Sequence, residues 1–324
     1  MASTVPGTTS NSQPVVPRYG HQALVVDQYM YLIGGRTAKP SSSAPPTVAT
    51  SSPLSQLLRL DLSKSFAVTN PPYLTRTGDV TSTAAASSLG SLALSSCRPL
   101  GAVGADRSAV LRCMGGVDGT GQLPSSGNMA DVMYFDADPK WAASNPTGLL
   151  PPPRTGHAVT FANGAYFLFG GSSAPSVAAS PMAPVQSLAN DMYKLNLASN
   201  VWEGVQGLGP GARAQFSMTS LRSQPNLLVA VGGVGAAGGL ASMSDVWVFN
   251  SQIGTWKLYQ ATGTSPQPRR GHSACSIGEF IYVQGGTNAQ GSVVYADMSA
   301  LIYSSTTDSF RYVTLIHFDR QPFR

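Results

Sequence analysis

Pro153-Arg154-Thr155-Gly156-His157, followed by Tyr166-Phe167-Leu168-Phe169-Gly170-Gly171, decides how this chain is read. The phrase recurs as Pro17-Arg18-Tyr19-Gly20-His21 with Tyr31-Leu32-Ile33-Gly34-Gly35. It recurs again as Pro268-Arg269-Arg270-Gly271-His272 with Ile281-Tyr282-Val283-Gln284-Gly285-Gly286. Each Arg precedes the first Gly of its pair by sixteen residues. Two copies are worn: Arg76-Thr77-Gly78-Asp79 with a late Gly115-Gly116, and Arg213-Ala214-Gln215-Phe216 with Val231-Gly232-Gly233 on schedule. The diglycines at 34, 115, 170, 232 and 285 give a period of 53 to 62 residues, with one interval of 81. Self-similarity on this scale marks a stacked supersecondary unit.

Two further elements follow each diglycine. The third is Gln56-Leu57-Leu58-Arg59-Leu60-Asp61, Asp131-Val132-Met133-Tyr134-Phe135-Asp136, Asp191-Met192-Tyr193-Lys194-Leu195-Asn196 and Asp245-Val246-Trp247-Val248-Phe249-Asn250, with a degraded copy at Ser299 to Ser304. An aromatic falls five or six residues later: Phe66, Trp141, Trp202, Trp256 and Phe310. Short runs of β-branched and aromatic residues bounded by turn residues read as strands. The Asp or Asn before the aromatic suits a hairpin, because its side chain accepts from the backbone two residues on. A pair of glycines marks close approach of another backbone or an unusual φ. The aromatic supplies apolar area between neighbouring units. No stretch sustains a 3.6-residue apolar period, so the reading is all-β.

These motifs resemble the kelch repeat, over about Pro17 to Leu315. The resemblance implies a β-propeller of radial four-stranded blades. Five motif sets predict five blades, at about 17–72, 73–147, 148–206, 207–262 and 263–316, with part of a six- or seven-bladed ring as the competitor. Residues 1–16 read as a lead-in and 317–324 as a short tail. Ser/Pro/Ala/Gly-rich inserts are expected at Lys39–Ser55, Ser87–Arg107, Ser172–Ala189 and Val234–Ala241. Strand alternation puts those of blades one, three and four on the face where the repeat Arg enters. Loops carried on a rigid scaffold are where binding resides.

Composition bounds the rest. Charged residues are 11% of the chain, against 34 Gly, 24 Pro and 42% apolar residues, which describes a turn-rich globular β protein. The formal charge is +5, but five of the Arg are spread over the repeats with no basic stripe, so no nucleic acid is expected as partner. No apolar run is long enough to span a membrane and no signal peptide is recognisable. The motifs of common catalytic loops (G-x-S-x-G, H-E-x-x-H, the P-loop) are missing.

His21, His157 and His272 belong to the repeat and are expected to hydrogen-bond within their blades; no metal or other cofactor is expected. A resemblance to galactose oxidase, a copper-dependent propeller enzyme acting on carbohydrate, is the alternative class. Its two-His, two-Tyr copper set cannot be assembled from what remains. The chain therefore reads as a non-catalytic binding module for protein or peptide, with carbohydrate as a further ligand class. In some kelch members the repeat Arg and the residue after the diglycine grip acidic peptides. Carried over, that names Arg18, Arg76, Arg154, Arg213 and Arg269, with Arg36 directly after Gly35. The bland role for the repeat Arg is to tie its own blade together. Arg36 is the exception, since no other diglycine is followed by a charge.

Cys97, Cys113 and Cys275 are an odd count. A loop-to-strand disulfide between Cys97 and Cys113 is expected, and Cys275 reads as a small buried residue. A disulfide favours an oxidising compartment. The low-complexity inserts and the phrase Asp61-Leu62-Ser63-Lys64-Ser65-Phe66 resemble fungal kelch cell-surface proteins. That resemblance favours an extracellular ectodomain fragment over a cytoplasmic adaptor.

Overall fold

The computed structural model describes residues 21–26, 29–33, 36–38, 51–53, 56–65, 74–77, 96–99, 109–116, 129–134, 140–143, 145–173, 187–235, 239–241 and 243–316. All regular structure among them is β. They divide into two compact units: residues 1–145, 152–155 and 178–180 in one, the remainder in the other.

In the first unit β1 (Gln22–Val26) pairs antiparallel with β2 (Tyr29–Ile33), while β3 (Arg36–Ala38) and β4 (Ser51–Pro53) form a separate ribbon. Then β5 (Gln56–Asp61) and β6 (Leu74–Thr77) complete a first sheet in the order β1-β2-β5-β6. Here the structure corrects the sequence reading. Arg76 pairs with Leu57 on the outer strand of the first sheet and does not open the second. Leu74-Thr75-Arg76-Thr77 is a β-prone run, and β5 needs an outer partner; the Arg-Thr-Gly match is local only. The second sheet consists of β7 (Ser96–Pro99), β8 (Ala109–Met114), β9 (Met129–Tyr134) and β10 (Lys140–Ala143). Its first strand lies inside the segment expected to be an insert, hidden by its small residues and revealed by its pairing with β8.

The second unit holds three sheets. In the third, β11 (Thr147–Gly148) precedes β12 (Ala158–Ala162), β13 (Ala165–Phe169), β14 (Met192–Asn196) and β15 (Val201–Val205). The fourth is entered through β16 (Arg213–Ala214) and runs β17 (Ser217–Leu221), β18 (Gln224–Val231), β20 (Asp245–Asn250) and β21 (Thr255–Gln260). β19 (Val234–Gly235) pairs back onto β16. The fifth has β22 (Thr262–Gly263), β23 (Ser273–Ile277), β24 (Phe280–Gln284), β25 (Met298–Ser304) and β26 (Ser309–Ile316). β11 and β22 lie parallel on the outer strands β15 and β26, so the entering chain covers an edge that would otherwise offer unpaired backbone groups.

The hairpins carry the expected turn chemistry. Oδ1 of Asn196 accepts from the N–H of Ala198 and Ser199, and Oδ1 of Asn250 from that of Gln252. Asp61 does the same for Ser63 in the first sheet.

Apolar side chains fuse the three sheets face to face. Phe167, Phe169 and Met192 of the third pack on Phe216, Met218, Leu228 and Phe249 of the fourth. On the fourth sheet's other face Leu221, Val229, Val231 and Val248 meet Ile281, Val283, Leu301 and Phe310 of the fifth. Each such side chain contributes about 1.5–3 kcal/mol on burial. The recurring aromatics join the same seams. Trp256 lies 5.1 Å from Phe169, and Phe310 lies 5.1 Å from Tyr259, ring centre to ring centre. Trp202 is buried edge-on to Tyr193. The Trp141 side chain and Phe66 fall outside the described residues.

Beyond the seam, the fifth sheet turns its other face to solvent. Ser273, Cys275, Ile277 and Phe280 are exposed there. Cys275 was expected to be buried and is a free, exposed thiol, on the same face of β23 as exposed Ser273 and Ile277.

Candidate functional site

The diglycines are hinges of close approach between sheets. Gly170 and Gly171 adopt φ of 65° and 95°, and Gly232 and Gly233 of 66° and 90°. The N–H of Gly171 donates to the Arg213 carbonyl at 2.8 Å, and that of Gly233 to the Arg269 carbonyl at 2.9 Å. Gly116 makes the same bond to Arg154, at 3.0 Å. Each of these three diglycines is thus stapled to the Arg that follows the sheet in sequence. A Cβ on Gly170 would stand 2.6 Å from the Arg213 oxygen, so no side chain fits there.

The guanidinium groups work inside this joint. Arg269 is buried, donates to both carboxylate oxygens of Asp297 at 2.7 and 2.8 Å, and bonds the Gly285 carbonyl at 2.9 Å. Its plane also covers the Tyr295 ring at 4.4 Å. Such bidentate, charge-assisted pairing is among the stronger polar contacts. Arg213 repeats the pattern more loosely, reaching the Gly232 carbonyl at 3.4 Å. Burial lowers its pKa to about 10, against a smaller opposing pull from Asp245. Arg154 is buried and donates to the Pro152 carbonyl at 3.0 Å. For these three Arg the geometry favours the blade-tying role. Arg18 and the side chains of Arg36 and Arg76 lie outside the described residues; the Arg36 backbone opens β3, opposite Pro53.

The repeat His reaches further than expected. Nε2 of His272 lies 2.9 Å from the Ser217 hydroxyl, so it bridges the fifth sheet to the fourth. Burial, with the Arg269 charge second, depresses its pKa to about 4 and holds it neutral. Among the described residues no three His, Cys, Asp or Glu side chains gather as a metal site.

Around these joints open the ends of the variable loops. Ala189 donates to the Gly171 carbonyl and accepts from the Arg213 N–H, and Ala241 donates to the Gly233 carbonyl. In the fifth sheet Asn288 closes a short turn through Ser292 and Val293, which leaves Val294 64% exposed at the rim. Leu188 and Leu240 pack on Ala214 and Val234 at the base of the loops. Most of the inserts themselves lie outside the described residues.

Sequence reasoning passed over one residue here. Gly156, Gln215 and Gly271 occupy the same repeat position with φ of 62°, 55° and 65°. They are linked in a chain: Gln215 N–H to the Gly156 carbonyl at 2.7 Å, Gly271 N–H to the Gln215 carbonyl at 2.8 Å. The available signal was Gln where the other copies carry Gly.

In the second sheet Cys113 is buried and disulfide-bonded, and the residue directly opposite it on β7 is Cys97.

Comparison with known proteins bears on the same repeat. The model of the KLHDC2/KLHL20/DRC7 Kelch-repeats domain matches residues 104–316, well over half of the chain. The chain belongs to the kelch-repeat family. It is 30% identical over 190 residues to acyl-CoA-binding domain-containing protein 5 of Arabidopsis thaliana, covering 57% of this chain and 27% of that protein. Against the host cell factor of Drosophila melanogaster the identity is 28%, over 51% of this chain and 12% of that protein. Against the Rab9 effector protein with kelch motifs of Gallus gallus it is 30%, over 45% and 37%. The match thus spans well under half the length of each of these relatives. Family members are mostly non-enzymatic, protein-binding modules. The matches give no support to a fungal cell-surface or galactose-oxidase resemblance. No helix among the described residues is long and apolar enough to cross a membrane.

Proposed function

We propose that this chain is a non-catalytic module that binds protein segments on the face where the Arg-bearing entry segments and the loops after the diglycines meet. One observation carries the reading. Loop ends of different length and sequence are anchored to the same rigid Gly-to-Arg backbone bonds, as in Gly171 with Arg213 and Gly233 with Arg269. That is a fixed base under variable loops, the arrangement that supports recognition. Arg36, opening β3 directly after its diglycine, is the proposed contact for an acidic side chain of the partner. A carbohydrate ligand has no comparable support. The proposal also includes a Cys97–Cys113 disulfide, supported by their direct opposition across β7 and β8 and by the free state of Cys275.

The test is photo-crosslinking from two positions of the intact chain. A crosslinker replacing exposed Val294 on this face should capture a protein partner, whereas one replacing exposed Leu258 on outer strand β21 should not. Capture from position 258 alone would move the binding surface to the outer edge and overturn the reading.

A further inference from the structure

The repeat position that carries Gly20, Gly156 and Gly271 is Gln215 at the entry to the fourth sheet. Gln215 nevertheless keeps the left-handed backbone of the glycines, with φ of 55° beside 62° for Gly156 and 65° for Gly271. A residue with a Cβ pays roughly 1–2 kcal/mol for that conformation. Asn and Asp soften the penalty by bonding their own backbone, which the longer Gln side chain does not do here. Both backbone groups of Gln215 are already engaged, its N–H with Gly156 and its carbonyl with Gly271. Glycine would make the same two bonds without the strain.

What Gln215 adds is a carboxamide. The side chain is half-buried, and its amide makes no hydrogen bond among the described residues. A Cβ built on Gly156 would stand 3.3 Å from Gln215 Cγ, so the stem lies along the neighbouring glycine turn. The amide therefore sits where the first strands of the third, fourth and fifth sheets begin, on the loop-bearing face. Arg213 and Arg269, the nearest repeat cations in sequence, are buried and internally bonded. A neutral donor–acceptor pair is what this spot presents.

We propose that Gln215 contacts the bound partner directly, its carboxamide pairing with a main-chain peptide group of an extended protein segment. The NH2 group donates to the peptide carbonyl, and Oε1 accepts from the peptide N–H. This deepens the protein-binding reading and rests on it. The strain at Gln215 is then kept for recognition, as left-handed non-glycine residues often are.

Peptides from a random display library are selected on the wild-type chain, and those that crosslink at position 294 are retained. Their affinities are measured for wild type and Gln215→Gly, with the thermal midpoint of each protein. The variant should bind about five- to twentyfold more weakly, the loss of one or two neutral hydrogen bonds, with a midpoint unchanged or raised. Equal affinity in the two proteins overturns the role of Gln215 and leaves the binding face standing. A lowered midpoint with unchanged affinity assigns Gln215 to packing on Gly156 and also overturns it. Failure to enrich any peptide that crosslinks at position 294 overturns the binding face and this inference together.

Discussion

The fourth and fifth sheets are built on one plan but live in different surroundings. Leu221 and Ile277 end equivalent first strands, four residues after Ser217 and Ser273. Leu221 is fully buried while Ile277 is 62% exposed. The fourth sheet is packed on both faces, against Phe167 and Phe169 on one side and Ile281 and Val283 on the other. Within the second unit the fifth is packed on one, and its other face shows exposed Cys275, Ile277 and Phe280. Equal strand patterns therefore do not imply equal contributions to stability. What a strand residue is worth depends on the neighbouring sheet, which the repeat itself does not encode.

The largest expected effect tests what joins the two sheets. Arg269→Ala removes the buried guanidinium that holds Asp297 and Gly285 and should cost about 3–5 kcal/mol, because a carboxylate loses its partner. Chemical denaturation showing a loss under 1 kcal/mol would mean the joint is held by its backbone bonds alone. Next comes the direct comparison. Leu221→Ala should cost about 2–5 kcal/mol, whereas Ile277→Ala should stay within about 0.5 kcal/mol, as at ordinary surface positions. Equal losses would show that the open face of the fifth sheet is covered in solution.

The third effect is acid lability. The His272 pKa falls from an ordinary 6.5 to about 4, so the unfolded chain binds the proton more readily than the folded one. Stability should be flat above pH 6.5 and decline as pH falls from there toward 4, by on the order of 2–3 kcal/mol. His272→Gln, which can still meet the Ser217 hydroxyl, should flatten that decline. An unchanged slope in the variant would show that His272 does not carry the acid sensitivity; Asp308, whose pKa is lowered chiefly by its hydrogen bond from Lys257, loses its contribution only at lower pH. The smallest effect is chemical. An alkylating reagent should label Cys275 in the native protein and leave buried Cys113 unmodified. Labelling of Cys275 only after unfolding would again mean that the free face is covered.

Much of this architecture is written in the chain. The clean copies of the third and fifth sheets gave the order of their four main strands, because a diglycine and an Arg sixteen residues upstream are local patterns with a local meaning. The hairpin Asx residues and the inter-sheet aromatics Trp256 and Phe310 were legible for the same reason. Reading failed where a strand is defined by its partner. β7 is Ser-Cys-Arg-Pro and became a strand only by lying against β8, while Arg76 was drawn to the outer edge of the first sheet by β5.

The sequence by itself determined the repeat, the all-β class and the positions of the joints, since each follows from residues close together in the chain. Only the tertiary structure decided what those joints do: that the glycines bond the Arg of the following segment, that His272 bridges two sheets, and that Cys275 faces solvent. Burial, hydrogen-bond partners and pKa belong to contacts between residues far apart in sequence. The candidate site follows the same division. Arg154, Arg213 and Arg269 were named from the repeat and then found inside the joints, while Gln215 became visible only when its backbone was seen to share the conformation of glycine.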